Sequence, residues 1–357
     1  MDEARREFLK RAGVATVATT TLAGCSGGGG GGGGDGGDGG GGQASWTLGT
    51  SSEGSSSFRI GSTWSQYAEQ NDALDSVSVD AVITEGTGAS YRRFDAGEFE
   101  MSGTTTQLLD AAPDTGPYED QGLQDFSNHR QVRGYMGFYN FGLYNADAVS
   151  GWDDLEGRPI AISSAGSGTR PPVEAIVDAE IGLDNVDNRY MAFADIPSAL
   201  RSGQVDAAFT WTVNQTTPQG WFQEIDATVN WEPLPISQST RDLLNNDLGY
   251  STYVQLDADT VSQFAENYQD PLDTFTLTYL YVVNANADAD IVYDIARFTH
   301  QEGEALLEQD DVMAFFPDPD RFLGQLHPDI PLHEGAYRYY EEEGLLEDYD
   351  LTAPPEA

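Results

Sequence analysis

Cysteine and lysine are almost absent from this chain. Among its 357 residues there is one cysteine, Cys25, and one lysine, Lys10. A single cysteine excludes an internal disulfide and any metal or redox site that needs paired thiolates. Basic residues number 17 against 59 acidic ones, a formal net charge of −42. Since no basic patch exists, binding to nucleic acid is excluded as well.

The acidic residues are spread over the whole chain, which indicates a solvated surface rather than a binding site for cations or basic partners. Repulsion at this net charge destabilises a compact state unless ions screen it. The Debye length falls to about 3 Å only near molar salt. A lysine-poor, aspartate-rich sequence therefore predicts adaptation to concentrated salt, as in extreme halophiles.

Long apolar runs are missing too. The uncharged run from Ala12 to Ala23 is shorter than the roughly 20 residues that cross a bilayer. It follows Arg5 and Arg6 and precedes "LAGC". We interpret residues 1–24 as an export signal of the twin-arginine type, with a lipobox that would place a lipid on Cys25. An ordinary signal peptide with an incidental cysteine is the alternative.

Residues 25–45 are predicted to form a flexible tether. Between Gly27 and Gly42 lie 14 of the 40 glycines. Such a segment buries no apolar surface that would offset its conformational entropy. About 18 residues of flexible chain separate a domain from its anchor by some 25 Å. We therefore expect an extracytoplasmic domain, anchored to the outer face of the cell membrane by lipidated Cys25.

Strand signals alternate with helical spacing through the rest of the chain. Short β-type runs such as "SWTLGT", "VSVDAVIT", "RPIAISS" and "VDAAFTW" are separated by glycine and hydroxyl loops. One of these loops, "SSAGSGTR", precedes a helical pattern with Thr169 at the N-cap and Pro171 and Pro172 in the first turn. Strand, glycine loop, helix and strand in this order predict an α/β fold.

A sequence pattern that occurs twice in the chain predicts two similar lobes. "RRFDAGEFEMSG" and "SALRSGQVDAAF" both place a helix end and a glycine, Gly97 or Gly203, before a short strand. Two long aromatic runs, "YMGFYNFGLYN" and "TFTLTYLYVVN", are interpreted as paired hinge strands, although ordinary core strands would show the same pattern. We therefore predict lobe 1 over residues 46–142 and 276–357, and lobe 2 over residues 143–275.

Five motifs follow one another over most of the domain: "EGSSSFRIG", "DAGEFEMSG", "GWDDLEGRPIAISSAGSGT", "FADIPSALRSGQVDAAF" and "LHEGAYRYYEEEG". In this order they resemble the solute receptors of tripartite ATP-independent periplasmic (TRAP) transporters, in particular the TAXI branch. The resemblance implies a type II periplasmic-binding-protein fold, two α/β lobes joined by two hinge strands. It also implies that the lobes close on a small carboxylate, such as a glutamate-like amino acid or a 2-oxo acid, and deliver it to an ion-gradient-driven permease.

The resemblance also implies ligand contacts in three segments. These comprise the first-lobe residues Gly54, Ser55, Ser56, Ser57, Thr87 and Gly88, the second-lobe residues Gly166, Ser167, Gly168 and Thr169, and the back of the cleft at Thr212 and Asn214. Where the family has "GGTYYP", this chain has "GSSSFR", so the identity of the ligand is not transferred.

Arginines and helix N-termini are predicted to hold the carboxylate. Arg59, Arg92, Arg93 and Arg170 lie in or just beyond the loops, and a guanidinium grips a carboxylate with two hydrogen bonds. A helix N-terminus adds partial positive charge and unpaired N–H groups. Each arginine could instead pair with a surface carboxylate. Glu53, unusual in an anion site, is predicted to pair with an amino group of the solute.

Motifs of other protein classes do not fit. The "AGSGT" loop lacks the lysine of a phosphate-binding loop, and no HExxH or GxSxG motif is present. "LHPDIPLHEG" is interpreted as a structural loop rather than a metal cluster. We expect no catalysis, cofactor or metal. The alternatives are a receptor for an ABC importer or a signalling partner, and a surface lipoprotein without a solute.

Overall fold

A computed structural model describes residues 43–111, 123–164, 167–246, 248, 250–349 and 351–355. The predicted export signal with Arg5 and Arg6, the lipidation site Cys25 and nearly all of the tether lie outside the described residues, and so does Gly166. No helix in the described part of the chain has both the length and the apolar character that crossing a membrane requires.

Strands and helices alternate along the described chain. The strands are β1 (Ala44–Gly49), β2 (Val77–Val82), β3 (Met101–Thr105), β4 (His129–Asn145), β5 (Pro159–Ser163), β6 (Asp187–Tyr190), β7 (Ala207–Val213), β8 (Thr217–Pro218), β9 (Trp231–Pro233), β10 (Tyr253–Leu256) and β11 (Leu272–Asn284). The α-helices are α1 (Ser56–Gln70), α2 (Thr87–Asp95), α3 (Thr106–Ala111), α4 (Arg170–Glu180), α5 (Ile196–Ser202), α6 (Gly220–Thr228), α7 (Gln238–Asn246), α8 (Ala258–Val261), α9 (Ala289–Gln301), α10 (Gly303–Gln309), α11 (Pro319–Phe322) and α12 (Glu334–Glu342).

The strands form one mixed sheet in the order β2-β1-β3-β11-β4-β7-β5-β6. Strands β1, β2 and β3, which we call the first half, are parallel to one another. Strands β5, β6 and β7, the second half, are likewise parallel. The antiparallel pair β4 and β11 lies between the two sets. The sheet thus has the architecture of the predicted type II periplasmic-binding-protein fold.

The two aromatic runs form the central pair, as predicted. Strand β4 pairs with β11 over its first part and with β7 over its last part, so it runs from one half into the other. Strand β11 pairs with β3 near its carboxyl end. The predicted lobe boundaries, between 142 and 143 and between 275 and 276, fall inside these two strands.

Apolar side chains of the described residues gather in three clusters, the largest of which also includes the central strands and part of β7. One cluster combines first-half residues such as Leu48 and Trp64 with Tyr340 near the carboxyl terminus. Phe141 of β4 belongs to a second cluster, and Ile160 of β5 belongs to a third. Burial of each set drives its own strand and helix layers together.

Local backbone features explain several helix ends. Gly97 and Gly203 follow helices in the left-handed region, with φ of +76° and +71°, as predicted. Pro172 lies in the first turn of α4, as predicted, and it is buried there. Proline is tolerated at this position because the N–H groups of a first turn have no partner within the helix. Thr169 occupies the N-cap position of α4, but its side chain makes no capping hydrogen bond. The predicted N-cap position of Thr169 is therefore confirmed, although its hydroxyl does not cap the helix.

Candidate functional site

A cavity of about 800 Å³ opens where parallel strands of both halves end. Loops that follow β1 and β2 form one side, and loops that follow β5 and β6 form the other. The carboxyl edge of a parallel sheet is where α/β folds bind ligands, because loops and helix N-termini converge there. The cavity has the size of ordinary small-molecule sites.

The first-half loops contribute most of the predicted residues. The cavity lining includes the predicted contacts Gly54, Ser55, Ser56, Ser57 and Thr87. Ser55 caps α1, since its hydroxyl oxygen accepts a hydrogen bond of 3.2 Å from the N–H of Phe58. Gly88 is outside the lining, one residue into α2. The N-terminal ends of α1 and α2 thus both meet the cavity.

The second-half loop contributes fewer contacts than predicted. Ser167 and Gly168 line the cavity, together with Ser164. The buried hydroxyl of Thr169 points back into the protein, within 2.8 Å of the hydroxyl of Ser163 and 2.9 Å of that of Ser167. Thr169 therefore shapes the loop and is not part of the lining.

The arginines are engaged by the protein's own carboxylates. The guanidinium of Arg59 donates two hydrogen bonds to Asp310, at 2.5 and 2.6 Å. Arg170 pairs with Glu174 at 2.8 Å, and its guanidinium lies 4.5 Å from the centre of the Tyr190 ring.

Neither of the neighbouring arginines extends into the cavity. Arg93 pairs with Glu98 at 2.8 Å. Arg92 is also outside the lining, as are Arg59 and Arg170. None of the four arginines predicted to contact the anion is therefore part of the cavity lining.

Thr212 and Asn214 connect strands instead of closing the back of the cavity. Asn214 accepts a hydrogen bond of 3.0 Å from the N–H of Gly137 and donates one of 2.8 Å to the carbonyl of Val312. Thr212 is fully buried on β7. Neither side chain is part of the lining, because both point into the packed protein around the central strands.

Aromatic residues that were not predicted as site residues form one wall of the cavity. We call this set the aromatic wall, and it comprises Phe138, Phe193, Trp211, Trp221 and Tyr279. Phe138 stacks on Trp211 with ring centres 5.0 Å apart. The Phe193 ring meets Trp211 edge-on at 4.6 Å and stacks on Trp221 at 5.6 Å. The ring of Tyr279 lies 4.6 Å from that of Phe138.

The alternation of side chains along β4 is the sequence pattern that could have predicted part of this wall. Met136 and Phe138 are two residues apart, so both side chains emerge on the same face of the strand and line the cavity. The aromatic richness of β4 and β11 was visible in the sequence, but which face meets the cavity depends on the sheet order.

The charge of the cavity is negative. Within the described residues its lining has no lysine, arginine or histidine, whereas Glu53 and Glu85 belong to it. Both glutamates are exposed, and neither side chain forms an ion pair or hydrogen bond with the described residues. Burial holds the pKa of the Tyr279 hydroxyl far above its ordinary value, so this group is neutral and able to donate a hydrogen bond.

The histidines lie elsewhere in the fold. Burial lowers the pKa of His129 to about 4, although Asp95 lies 3.3 Å away and opposes the shift. His333 caps α12 by accepting a hydrogen bond from the N–H of Gly335, and His327 accepts one from the N–H of Asp329. His327 and His333 therefore stabilise the C-terminal segment.

Several solved structures are similar at low identity. SsuA, the periplasmic aliphatic sulphonate binding protein from Escherichia coli, is 12% identical over 87% of this chain and 96% of its own, with a TM-score of 0.46. The alkanesulfonate-binding SsuA from Xanthomonas axonopodis pv. citri is 14% identical over 76% and 78%, with a TM-score of 0.42. A putative L-cystine ABC transporter from Listeria monocytogenes is 9% identical over 74% and 95%, with a TM-score of 0.41. Similarities this weak carry no inference about a solute.

The match to a family model is more extensive. The model of the NMT1-like family covers residues 48–344. This range holds every strand of the sheet except the first four residues of β1, and it holds every described residue that lines the cavity. The protein belongs to the NMT1-like family.

Proposed function

We propose that this protein is an extracytoplasmic solute-binding receptor that captures a small carboxylate-bearing molecule between its two halves. The observation that carries the proposal is the cavity of about 800 Å³ at the carboxyl edges of two parallel strand sets. Polar loops together with an apolar surface such as the aromatic wall are the usual lining of a small-molecule site. The paired strands β4 and β11 connect the halves, and we propose that they act as the hinge.

Helix N-termini of the first half are the proposed contacts for the carboxylate. The lining residues Ser56 and Thr87 are the first residues of α1 and α2, whose first-turn N–H groups have no partner within their helix. Helix α4 offers fewer donors, because Pro171 and Pro172 have no N–H. An anion is therefore held more favourably by the first half than by the second.

Delivery to a TRAP permease of the TAXI type is the proposed next step. The predicted twin-arginine signal and a lipid on Cys25 would keep the receptor at the outer face of the membrane. The glycine-rich tether would let the domain reach a permease that is driven by an ion gradient. An ABC importer is the competing partner.

A binding role fits the cavity better than catalysis does. The described lining contains hydroxyls and two carboxylates, but none of the histidines that would activate a serine. The hydroxyl of Ser57 is hydrogen-bonded to that of Tyr135, a neutral group that cannot act as a base at ordinary pH. We therefore propose that no cofactor or metal takes part.

Calorimetric titration of the chain in molar KCl tests the receptor function. The panel comprises dicarboxylates, 2-oxo acids and amino acids, with near-ultraviolet circular dichroism as the check on folding. We expect saturable one-site binding of at least one carboxylate. A well-folded sample that bound no member of the panel would contradict the proposal.

Uptake by cells that carry the receptor and its permease identifies the partner. We expect uptake to stop when an ionophore collapses the ion gradient and to continue when ATP alone is depleted. The reverse pattern would assign the receptor to an ABC importer.

A further inference from the structure

The lining is poorly suited to a solute with two carboxylates. Glu53 and Glu85 are its charged side chains among the described residues, and both are negative. The first-turn N–H groups of α1 and α2 favour one anionic group. A second carboxylate would face either these glutamates or the aromatic wall, and no described lining residue carries a compensating positive charge.

The glutamates lie close to the helix ends. Glu53 is two residues before the N-cap of α1, and Glu85 directly precedes the N-cap of α2. A hydrogen bond of 3.0 Å from the N–H of Thr84 to the carbonyl of Ser51 holds the two loops side by side. A solute bound here meets donors for an anion and acceptors for a cation within one small region. An α-amino acid presents both charges from a single carbon atom.

The aromatic wall extends away from these charged groups. Phe138 and Tyr279 belong to the central strands, and Phe193, Trp211 and Trp221 belong to the second half. Aromatic rings bind a further ring by stacking or edge contacts, and they also attract an ammonium group to their faces. A solute that reaches from the α1 and α2 ends to this wall gains most if its side chain is aromatic.

Two buried polar groups of the wall have no partner in the described protein. Tyr279 is 5% exposed, and its hydroxyl makes no hydrogen bond with a described residue. A Cβ placed on Gly168, another lining residue, would lie 3.8 Å from that hydroxyl. The indole N–H of Trp211, whose side chain is 7% exposed, is also unpaired. Buried polar groups are normally hydrogen-bonded. Of the two, the hydroxyl of Tyr279 lies beside the lining residue Gly168, so it favours a polar substituent on the ligand.

We propose that the solute is a zwitterionic aromatic amino acid. Its carboxylate binds the first-turn N–H groups of α1 and α2, its ammonium group pairs with Glu53 and Glu85, and its ring packs on the aromatic wall. A polar atom on the ring, such as a phenol hydroxyl or an indole N–H, hydrogen-bonds the hydroxyl of Tyr279. This inference rests on the proposed receptor function and assigns the class of solute to the same cavity.

Titration of the full chain in molar KCl with a small set of probes tests the proposal. The probes are L-tyrosine and L-tryptophan, 3-phenylpropanoate, which lacks the ammonium group, and L-glutamate and 2-oxoglutarate. We expect the two aromatic amino acids to bind most tightly. Fluorescence of Trp211 and Trp221 should change with the same saturation curve, because both indoles line the cavity.

Variants separate the contributions. Glu53→Gln and Glu85→Gln should each weaken L-tyrosine about threefold to fivefold, since exposed ion pairs are individually weak, and neither should weaken 3-phenylpropanoate. Glu69→Gln, an exposed position at the far end of α1, is the matched control and should change neither ligand. Tyr279→Phe should weaken L-tyrosine about twofold to tenfold, the usual effect of one lost hydrogen bond.

The possible results lead to different conclusions. If L-glutamate or 2-oxoglutarate binds most tightly, and Glu53→Gln strengthens it, the aromatic amino acid is overturned while the receptor function stands. If a folded sample binds none of the probes and no other carboxylate, the receptor function itself is contradicted. Equal affinity for L-tyrosine and 3-phenylpropanoate would overturn the role of the glutamates.

Discussion

The hydroxyl of Ser57 lies 2.8 Å from the hydroxyl of Tyr135, and this hydrogen bond joins the first turn of α1 to β4. Both residues are buried, and Ser57 also lines the cavity. The ring of Tyr135 stacks on Tyr281 of β11, with centres 4.1 Å apart. One end of the cavity is thus attached directly to the central strands that connect the two halves.

Removing this hydrogen bond should destabilise the fold. Tyr135→Phe keeps the stacked ring but leaves the hydroxyl of Ser57 without its partner, which costs about 1–3 kcal/mol for a buried polar group. Denaturant unfolding in molar KCl measures the loss. Tyr337→Phe is the control, because the hydroxyl of Tyr337 makes no hydrogen bond with a described residue. Equal stability of the two variants would contradict the prediction.

Filling the cavity at Gly168 should weaken solute binding without unfolding the protein. A Cβ at this position meets only a methyl group of Thr105 and the hydroxyl of Tyr279, both at 3.8 Å. Gly168→Leu should therefore be tolerated, and its side chain should compete with the solute and lower affinity about tenfold or more, equivalent to at least ~1.4 kcal/mol. Ala227→Leu, at an exposed position of α6, controls for the added surface. Unchanged affinity in a folded Gly168→Leu sample would exclude this cavity as the binding site.

Arg133 is a buried cation whose replacement by lysine should not be conservative. Its guanidinium donates to the carbonyls of Phe315 and Phe316 at 3.0 and 3.1 Å, and it lies 4.3 Å from the centre of the Phe322 ring. Burial lowers its pKa to about 10. Arg133→Lys loses this planar geometry, so we expect the unfolding free energy to fall by about 2–4 kcal/mol.

The matched control for Arg133 is an exposed arginine. Arg189 pairs with Asp187 at the surface, where an ion pair contributes little. Arg189→Lys should therefore change the unfolding free energy by less than about 1 kcal/mol. If Arg133→Lys were equally mild, the buried guanidinium would have no special role in holding the C-terminal segment.

Stability should fall as the pH drops from 6.5 to about 4 because of His129. Burial lowers its pKa from 6.5 to about 4, so the unfolded chain binds a proton in this window and the folded chain does not. The lost free energy is up to about 3 kcal/mol. His129→Asn should therefore have a flatter profile than the original protein. Parallel profiles would contradict this, as would an imidazole NMR titration of the original protein with a midpoint near 6.5.

Salt should stabilise the domain. The chain has a net charge of −42, and raising KCl from about 0.1 M to about 1 M shortens the Debye length from about 10 Å to about 3 Å. We expect near-ultraviolet circular dichroism to be lost at the lower concentration and regained at the higher one. Sorbitol at matched osmolality should not restore the signal, because it screens no charge. A fold that persists at low salt would contradict adaptation to concentrated salt.

The sequence by itself determined the local features and the fold class. Periodicity identified strands β1, β2, β5 and β7 but not β6. Gly97 and Gly203 marked helix ends, because left-handed backbone favours glycine. The two aromatic runs indicated the central pair, and the serine and glycine loops indicated one side of the cavity. Each of these features depends on neighbouring residues and on the order of motifs along the chain.

Only the tertiary structure decided which side chains meet in the site. Arg59 reaches Asp310, 251 residues away, and this pairing removes it from the cavity. Phe138 and Trp211 stack because β4 and β7 are adjacent. Such pairings depend on sheet order and on which face of a strand is buried, and these are set by packing of the whole domain. For this reason the sequence located the loops around the cavity but not the glutamates and aromatic rings that line it together.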